Sequence, residues 1–121
     1  MSGFYNNLDV TEVSRDKWRL DSDLRYQSNV IGDVVTVPAG FVTDFATVPR
    51  LPVVYLMFDG YGDRAAVVHD YLYRSGVYPR ATCDQVFYES LLADGVSNWR
   101  AGLMYAAVRV FGKKFFRRGL V

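Results

Sequence analysis

The sequence predicts an α+β fold in which a small N-terminal antiparallel β-sheet is followed by three helices. Alternating and β-branched patterns fill the first half of the chain, and helical spacing bounded by glycines fills the second. The chain has 121 residues, half of them hydrophobic, which suits one domain and excludes general disorder. We therefore expect a single domain over 1–121, made of a strand- and loop-rich half (1–62), a three-helix half (63–112) and a basic tail (113–121).

The first half predicts short strands separated by turns. Residues 10–14 alternate weakly between apolar and polar side chains. Residues 18–26 carry apolar side chains at even spacing around an Asp-Ser-Asp turn signal at 21–23. Residues 34–37 form a β-branched run that stops at Pro38. These segments predict a sheet of three to five strands.

The second half carries three helical segments, each bounded by a capping residue or a glycine. The predicted helices are residues 64–74 after an N-cap at Asp63, residues from Pro79 or Thr82 to Ala93, and residues 98–111 after an N-cap at Ser97. On the third helix one apolar stripe is expected to face the core. Its members are Leu103, Ala106, Ala107, Val110 and Phe111.

Composition excludes several classes of protein. Cys83 is the single cysteine, so no intrachain disulfide is possible, and with one histidine the chain does not suit a zinc site. The longest uncharged apolar run, 51–58, is far shorter than a transmembrane span requires. The first residues lack the features of a signal peptide, so we expect a soluble protein made in a cytoplasm.

Charge is distributed unevenly along the chain. The formal net charge is +1, but residues 1–63 carry nine acids and five bases, whereas residues 64–121 carry four acids and nine bases. Four of those bases flank Phe115 and Phe116 in the tail. Such a tail suits binding to an anionic lipid surface. Alternatively, its bases lie at a helix C-terminus and its two phenylalanine rings dock on the domain, and we favour docking. One basic cluster in a near-neutral chain is weak support for nucleic acid, so no nucleic-acid partner is expected.

The single histidine belongs to a cluster of candidate catalytic residues. His69 and Tyr73 share one helix face at i,i+4, whereas Asp70 points toward a neighbouring groove. If the first two helices pack antiparallel across their short link, Asp84 lies opposite His69. One carboxylate then fixes the imidazole tautomer, the imidazole activates water, and Asp70 is the candidate ligand for a hard cation such as calcium.

Asp44 is a further candidate because it lies in the otherwise apolar loop 40–48. A buried carboxylate needs a partner, and Arg50, a helix N-terminus or His69 could each supply one. We expect Asp44 to lie within reach of the helix that carries His69 and Asp70.

The His-Asp-x-x-Tyr unit at 69–73, followed by Cys-Asp-x-x-Phe at 83–87, resembles the helix pair of secretory phospholipases of the A-two class. The resemblance implies that His69 is the base, Asp70 a calcium ligand, Asp84 the group that orients the histidine, and Tyr73 a supporting donor. It covers only this helix pair, and the chain lacks the disulfides and the glycine-rich calcium loop of those enzymes.

A second resemblance covers more of the chain. The segments GFVTDFATVPR (40–50), AVVHDYLY (66–73) and CDQVF (83–87) occur in the order found in a family of small proteins of unknown function encoded by tailed phages and prophages. This resemblance implies a phage origin, a location in the host cytoplasm or the virion, and other phage proteins as partners.

Two functions are therefore open. The first is a phospholipase-like hydrolase with calcium as candidate cofactor, acting at the cell envelope and docking on anionic lipid through its tail. The second is a non-catalytic virion or accessory protein, in which His69 is a core histidine whose ring nitrogens are satisfied by Asp84 or a backbone carbonyl. In that case Asp70 forms an i,i+4 salt bridge with Arg74, and Cys83 is a small buried apolar residue.

Overall fold

The computed structural model of the protein describes residues 2–14, 17–43 and 62–116, without the side chains of residues 114 and 115. Within these ranges six short strands precede three helices, which confirms the predicted α+β fold. The helices are α1 (Asp63–Ser75), α2 (Arg80–Ala93) and α3 (Asn98–Phe111), and a 3₁₀ turn (Gly112–Phe115) follows α3. None of the helices in these ranges combines the length and the hydropathy that a bilayer span needs.

The strands form two three-stranded antiparallel sheets rather than the single sheet that the sequence predicts. They are β1 (Gly3–Phe4), β2 (Val10–Ser14), β3 (Lys17–Leu20), β4 (Leu24–Ser28), β5 (Asp33–Val37) and β6 (Val42–Thr43). One sheet has the order β1-β4-β5 and the other β2-β3-β6. The predicted turn at 21–23 carries the chain from β3 into the other sheet, so the described strands divide between two sheets.

The β4–β5 hairpin supplies the apolar face on which the helices pack. Tyr26 and Val35 lie opposite each other in the register, and Leu24 lies opposite Val37. All four side chains are buried, while their neighbours along each strand point outward or are only partly covered. This period-two alternation places one face of the hairpin against α1 and α2.

Helix termini lie close to their predicted positions. Helix α1 begins one residue early, because Gly62 at positive φ occupies the N-cap and Asp63 is the first helical residue. It ends at Gly76, whose φ of 66° is the left-handed conformation that glycine adopts without strain. Ser97 occupies the N-cap of α3 as predicted, although its side chain makes no capping hydrogen bond.

The prediction for the core-facing stripe of α3 is wrong. Leu103, Val110 and Phe111 are 49%, 69% and 50% exposed, and Ala106 is exposed as well. Ala107 is the one member of the predicted stripe that is buried. The other buried side chains of α3 are Ala101, Met104 and Val108, on the opposite side of the helix. The helix has apolar side chains on both sides, so periodicity alone does not identify the side that packs on α2.

The carboxylates of Glu89 and Asp94 bind α2 to its neighbours. Glu89 accepts hydrogen bonds from the hydroxyls of Tyr26 and Ser28, both at 2.8 Å, and from the backbone N–H of Asn29 at 3.0 Å. At the end of α2, Asp94 accepts two hydrogen bonds from Arg64 of α1, at 2.7 and 2.9 Å. Helix α2 is therefore tied to the sheet on one side and to α1 on the other.

Candidate functional site

Helices α1 and α2 bring His69 and Asp84 together in the interior. The Nε2 atom of His69 lies 2.8 Å from Oδ1 of Asp84, and neither side chain has exposed surface. This is the juxtaposition that the antiparallel helix pair predicts. The contact depends on the short link at 76–79, which returns the chain so that α2 runs back along α1.

Aromatic side chains hold the imidazole in place. The hydroxyl of Tyr73 donates a hydrogen bond to the same Oδ1 atom of Asp84 at 2.5 Å. Its ring lies 4.1 Å from the imidazole centroid, and Phe87 stacks on the imidazole at 4.5 Å with an interplanar angle of 29°. The imidazole is therefore restrained by two rings and one carboxylate, and the predicted Tyr73 lies within this cluster.

Sequence reasoning missed two arginines that complete the surroundings of Asp84. Nη1 of Arg109, in the last turn of α3, donates to Oδ2 of Asp84 at 2.7 Å. The guanidinium of Arg80 donates to the carbonyls of Val108 and Arg109 and so fixes the end of α3. A basic residue is favoured in the last turn of a helix, which is a sequence signal for Arg109, whereas Arg80 is the first residue of α2 and meets the end of α3 only in the folded protein.

The hydrogen bonds around Asp84 keep its carboxylate charged. Burial alone would raise the pKa of Asp84, but hydrogen bonds from His69, Tyr73 and Arg109 outweigh burial and lower this pKa below its ordinary value. Burial, and after it the hydrogen bond to Asp84, raises the pKa of the Tyr73 hydroxyl, so Tyr73 stays a neutral donor. Burial also raises the pKa of the Cys83 thiol to about 12, which fits the inert apolar side chain predicted for this cysteine.

The second ring nitrogen of His69 has no hydrogen-bond partner among the residues that the structure describes. Nδ1 is buried and makes no hydrogen bond to any residue within the described ranges. In the tautomer that donates from Nε2 to Asp84, Nδ1 presents a lone pair. Across ranges 2–14, 17–43 and 62–116, one of the two nitrogens therefore has a partner, whereas a purely structural histidine is expected to have partners for both.

Asp70 belongs to a different contact network on the outer side of α1. Thr43 of β6 donates to its Oδ2 at 2.7 Å, and the guanidinium of Arg74 lies 3.1 Å from its Oδ1, the i,i+4 pair that the sequence predicts. Arg74 also donates to the carbonyl of Val42. These contacts tie β6 to α1.

The surroundings of Asp70 do not form a calcium site from the residues that the structure describes. Its two oxygens face a hydroxyl donor and a guanidinium, whereas calcium takes six to eight oxygen ligands. Across ranges 2–14, 17–43 and 62–116, no group of three acidic, histidine or cysteine side chains is close enough to hold a metal ion. The predicted catalytic residue Asp44 lies outside the described residues, as does most of the motif at 40–50.

A groove of about 500 Å³ lies elsewhere on the molecule, between α2, α3 and the β4–β5 turn. Its lining residues are Val30, Gln85, Tyr88, Glu89 and Tyr105. It contains none of the predicted site residues, and Glu89 already accepts three hydrogen bonds there.

The segment after α3 closes the cluster from the side of Tyr73. The ring of Phe116 contacts the Tyr73 ring edge-on at 5.4 Å, which confirms docking for this tail phenylalanine, and the Phe115 side chain lies outside the described residues. At Gly112 an added Cβ would lie 2.8 Å from the Tyr73 hydroxyl oxygen. A glycine here allows the chain to pass directly over the hydroxyl that binds Asp84.

We expect Gly112→Ala to lower the free energy of unfolding by about 2 kcal/mol, because the buried Tyr73 ring cannot move aside without losing its hydrogen bond. Gly102→Ala is the matched control, since no atom lies within 4 Å of its added Cβ and alanine favours a helix. That control is expected to stabilise by about 0.5–1 kcal/mol. Urea unfolding measures both, and a loss of equal size in the two variants would contradict the close approach at Gly112.

Comparison with known proteins places the chain in a family. The family described as "Protein of unknown function (DUF1353)" matches residues 18–108, about three quarters of the chain. A curated relative, "Uncharacterized protein y4jT" of Sinorhizobium fredii, is 32% identical over 78 residues, which are 63% of this chain and 23% of that protein. The chain thus spans less than a quarter of that relative's length. No solved structure matches the chain. The extent of the family match establishes that the chain belongs to the DUF1353 family.

Proposed function

We propose that the protein is a hydrolase in which His69 is the general base. The observation that carries this proposal is a histidine whose Nε2 is held by a charged carboxylate and whose Nδ1 has no hydrogen-bond partner in the described part of the chain. A buried nitrogen without a partner costs about 1–3 kcal/mol. Within the described residues, Nδ1 of His69 and Nε of Arg80 are the buried nitrogens beside Asp84 that lack a hydrogen bond, and of the two only the imidazole nitrogen can act as a base.

Each residue of the cluster has a separate role in the proposed reaction. Asp84 accepts a hydrogen bond from the Nε2–H group and so leaves the lone pair on Nδ1, and Nδ1 can take a proton from water as that water adds to an ester. The imidazolium formed is stabilised by the Asp84 charge and then returns its proton to the leaving group. Arg109 and Tyr73 keep Asp84 ionised through their hydrogen bonds.

Access to the base requires a conformational change, because the His69 ring has no exposed surface. The substrate class that we propose is an ester of phospholipid type at the cell envelope, on the basis of the His-Asp-x-x-Tyr resemblance. Calcium at Asp70 is a separate proposal, since completing such a site would need ligands from outside the described residues. The mechanism above does not use a metal.

A second candidate is favoured by the complete burial of His69 and Asp84. In this proposal the chain is a non-catalytic phage protein, located in the virion or the host cytoplasm, and its partners are other phage proteins. The cluster then serves to join α1, α2 and α3, which supply His69, Asp84 and Arg109. The phage origin is proposed from the three motifs at 40–50, 66–73 and 83–87.

The test of the hydrolase proposal is the variant His69→Gln, assayed on mixed micelles of phosphatidylglycerol and on a chromogenic ester, with and without calcium. Loss of a general base typically lowers the rate about 10²–10⁴-fold. The matched control is Val68→Ala, because Val68 is the adjacent and equally buried residue of α1. We expect Val68→Ala to lose about 2 kcal/mol of stability and to keep its activity.

The two candidate functions predict different results. A folded wild-type protein that hydrolyses none of these substrates would reject the hydrolase and leave the structural role. Activity that falls equally in His69→Gln and Val68→Ala would also contradict a base at His69, since general destabilisation would then explain both. Activity that survives only in Val68→Ala supports the hydrolase.

A further inference from the structure

Helix α3 carries an apolar stripe on the side that faces away from α2. We call it the α3 outer face, and it consists of Trp99, Leu103, Ala106 and Val110. Trp99 is 61% exposed, Leu103 49% and Val110 69%. At 100° per residue these positions fall within an arc of about 60°, so they form one continuous strip along the helix.

Basic side chains border this strip on both sides. Arg100 and Arg109 lie about 90° to either side of its centre line around the helix. The Arg100 guanidinium lies 5.4 Å from the centre of the Trp99 ring. The side chain of Arg109 is 36% exposed although one of its nitrogens binds Asp84. Exposed Lys113 continues the positive charge past the end of the helix.

Acidic residues are missing from this part of the sequence. Residues 98–116 contain four bases and no aspartate or glutamate, in a chain whose net charge is only +1. An apolar strip with basic borders and a tryptophan at one end is the composition of helices that lie in a membrane interface. A protein partner with charges of both signs would accept acidic residues on this helix, so the absence of Asp and Glu from 98–116 favours a uniformly anionic partner.

We propose that the α3 outer face binds an anionic phospholipid surface, with the strip inserted among the acyl chains and the basic borders at the headgroups. Charge complementarity favours an anionic lipid surface as the partner, since each lysine or arginine near an anionic bilayer strengthens binding roughly fivefold. The inference does not depend on hydrolysis, because a non-catalytic protein could carry the same face.

The test is co-sedimentation of the protein with phosphatidylcholine vesicles that contain roughly a third phosphatidylglycerol, and with pure phosphatidylcholine vesicles. We expect binding to the anionic vesicles, and at least about a tenfold loss of partitioning for Val110→Glu. The matched control is Val13→Glu on β2, which places the same charge on another exposed valine, 44% exposed, in the second sheet. This control should bind as the wild type does.

Each remaining outcome overturns the proposal. Equal binding to both kinds of vesicle would remove the role of the basic borders, and an unchanged Val110→Glu would remove the role of the strip. If the protein binds neither vesicle and forms a dimer that Val110→Glu converts to a monomer, the occupant is a second copy of the chain. Because the readout is binding rather than hydrolysis, these results do not decide the proposed enzyme activity.

Discussion

Replacing Asp84 with alanine is expected to lower the free energy of unfolding by about 4 kcal/mol, because this one carboxylate of α2 satisfies three donors from α1 and α3. The Nε2–H of His69 and the hydroxyl of Tyr73 would both stay buried without an acceptor. Arg109 contributes less to the loss, since its partly exposed guanidinium can turn toward water.

The control for this variant is Cys83→Ala, one residue earlier on α2 and equally buried. Its thiol makes only a weak contact with the carbonyl of Tyr78, at 3.7 Å, so a loss of about 1 kcal/mol is expected. Urea unfolding monitored by tryptophan fluorescence measures both variants. Losses of similar size would show that burial on α2, and not the hydrogen bonds of Asp84, sets the cost.

The pH dependence of the Asp84→Ala difference provides a second readout. The pKa of Asp84 is lower in the folded protein than in the unfolded chain, so its contribution is fully present above the unfolded value of about 3.9. As the pH falls through the folded-state pKa, the carboxylate is protonated and the contribution disappears. The stability difference between wild type and Asp84→Ala should therefore be constant near neutral pH and shrink in acid.

The part of the site that sequence could predict is the part made by local geometry. Helical spacing places His69 and Tyr73 on one face, and a short link makes the next helix antiparallel. Those two facts are enough to bring Asp84 opposite His69, at the 2.8 Å that the structure shows. Predicted helix termini are close for the same reason, because caps and glycines act within a few residues of the helix end.

Contacts between distant segments were not predictable in this way. Arg109 is 25 positions from its partner Asp84, and Glu89 is 61 positions from Ser28. The outward face of α3 was misassigned for a related reason. Because both sides of that helix carry apolar residues, the side that packs is decided by contact with α2 and not by the helix's own pattern.

Helix α2 connects the two halves of the molecule through carboxylates on opposite sides. Asp84 and Glu89 are five residues apart, about 140° around the helix, so one faces the other helices and one faces the sheet. The rigidity of the His69 cluster therefore depends on the contact between Glu89 and the sheet, although Glu89 is not a member of the cluster. The Glu89 contact keeps α2 on the sheet. A movement that exposes His69 without breaking this contact must therefore be made by other elements of the fold.

Replacing Glu89 with alanine is expected to cost about 3 kcal/mol, because the Glu89 carboxylate accepts three hydrogen bonds from β4 and the turn after it. The hydroxyls of Tyr26 and Ser28 have no exposed surface and would be left unsatisfied. The pKa of Tyr26, which burial and the Glu89 hydrogen bond now raise, should fall toward its ordinary value in this variant.

Gln85→Ala is the control, since Gln85 is an exposed residue one turn earlier on α2 and should change stability by no more than about 0.5 kcal/mol. A double-mutant cycle of Glu89→Ala with Tyr26→Phe isolates the shared hydrogen bond. The two losses should add to more than the loss in the double variant, because Tyr26→Phe removes the donor that Glu89→Ala strands. Strict additivity would mean that the Tyr26 hydroxyl and Glu89 do not interact, and the hydrogen bonds of Glu89 would then be those from Ser28 and Asn29.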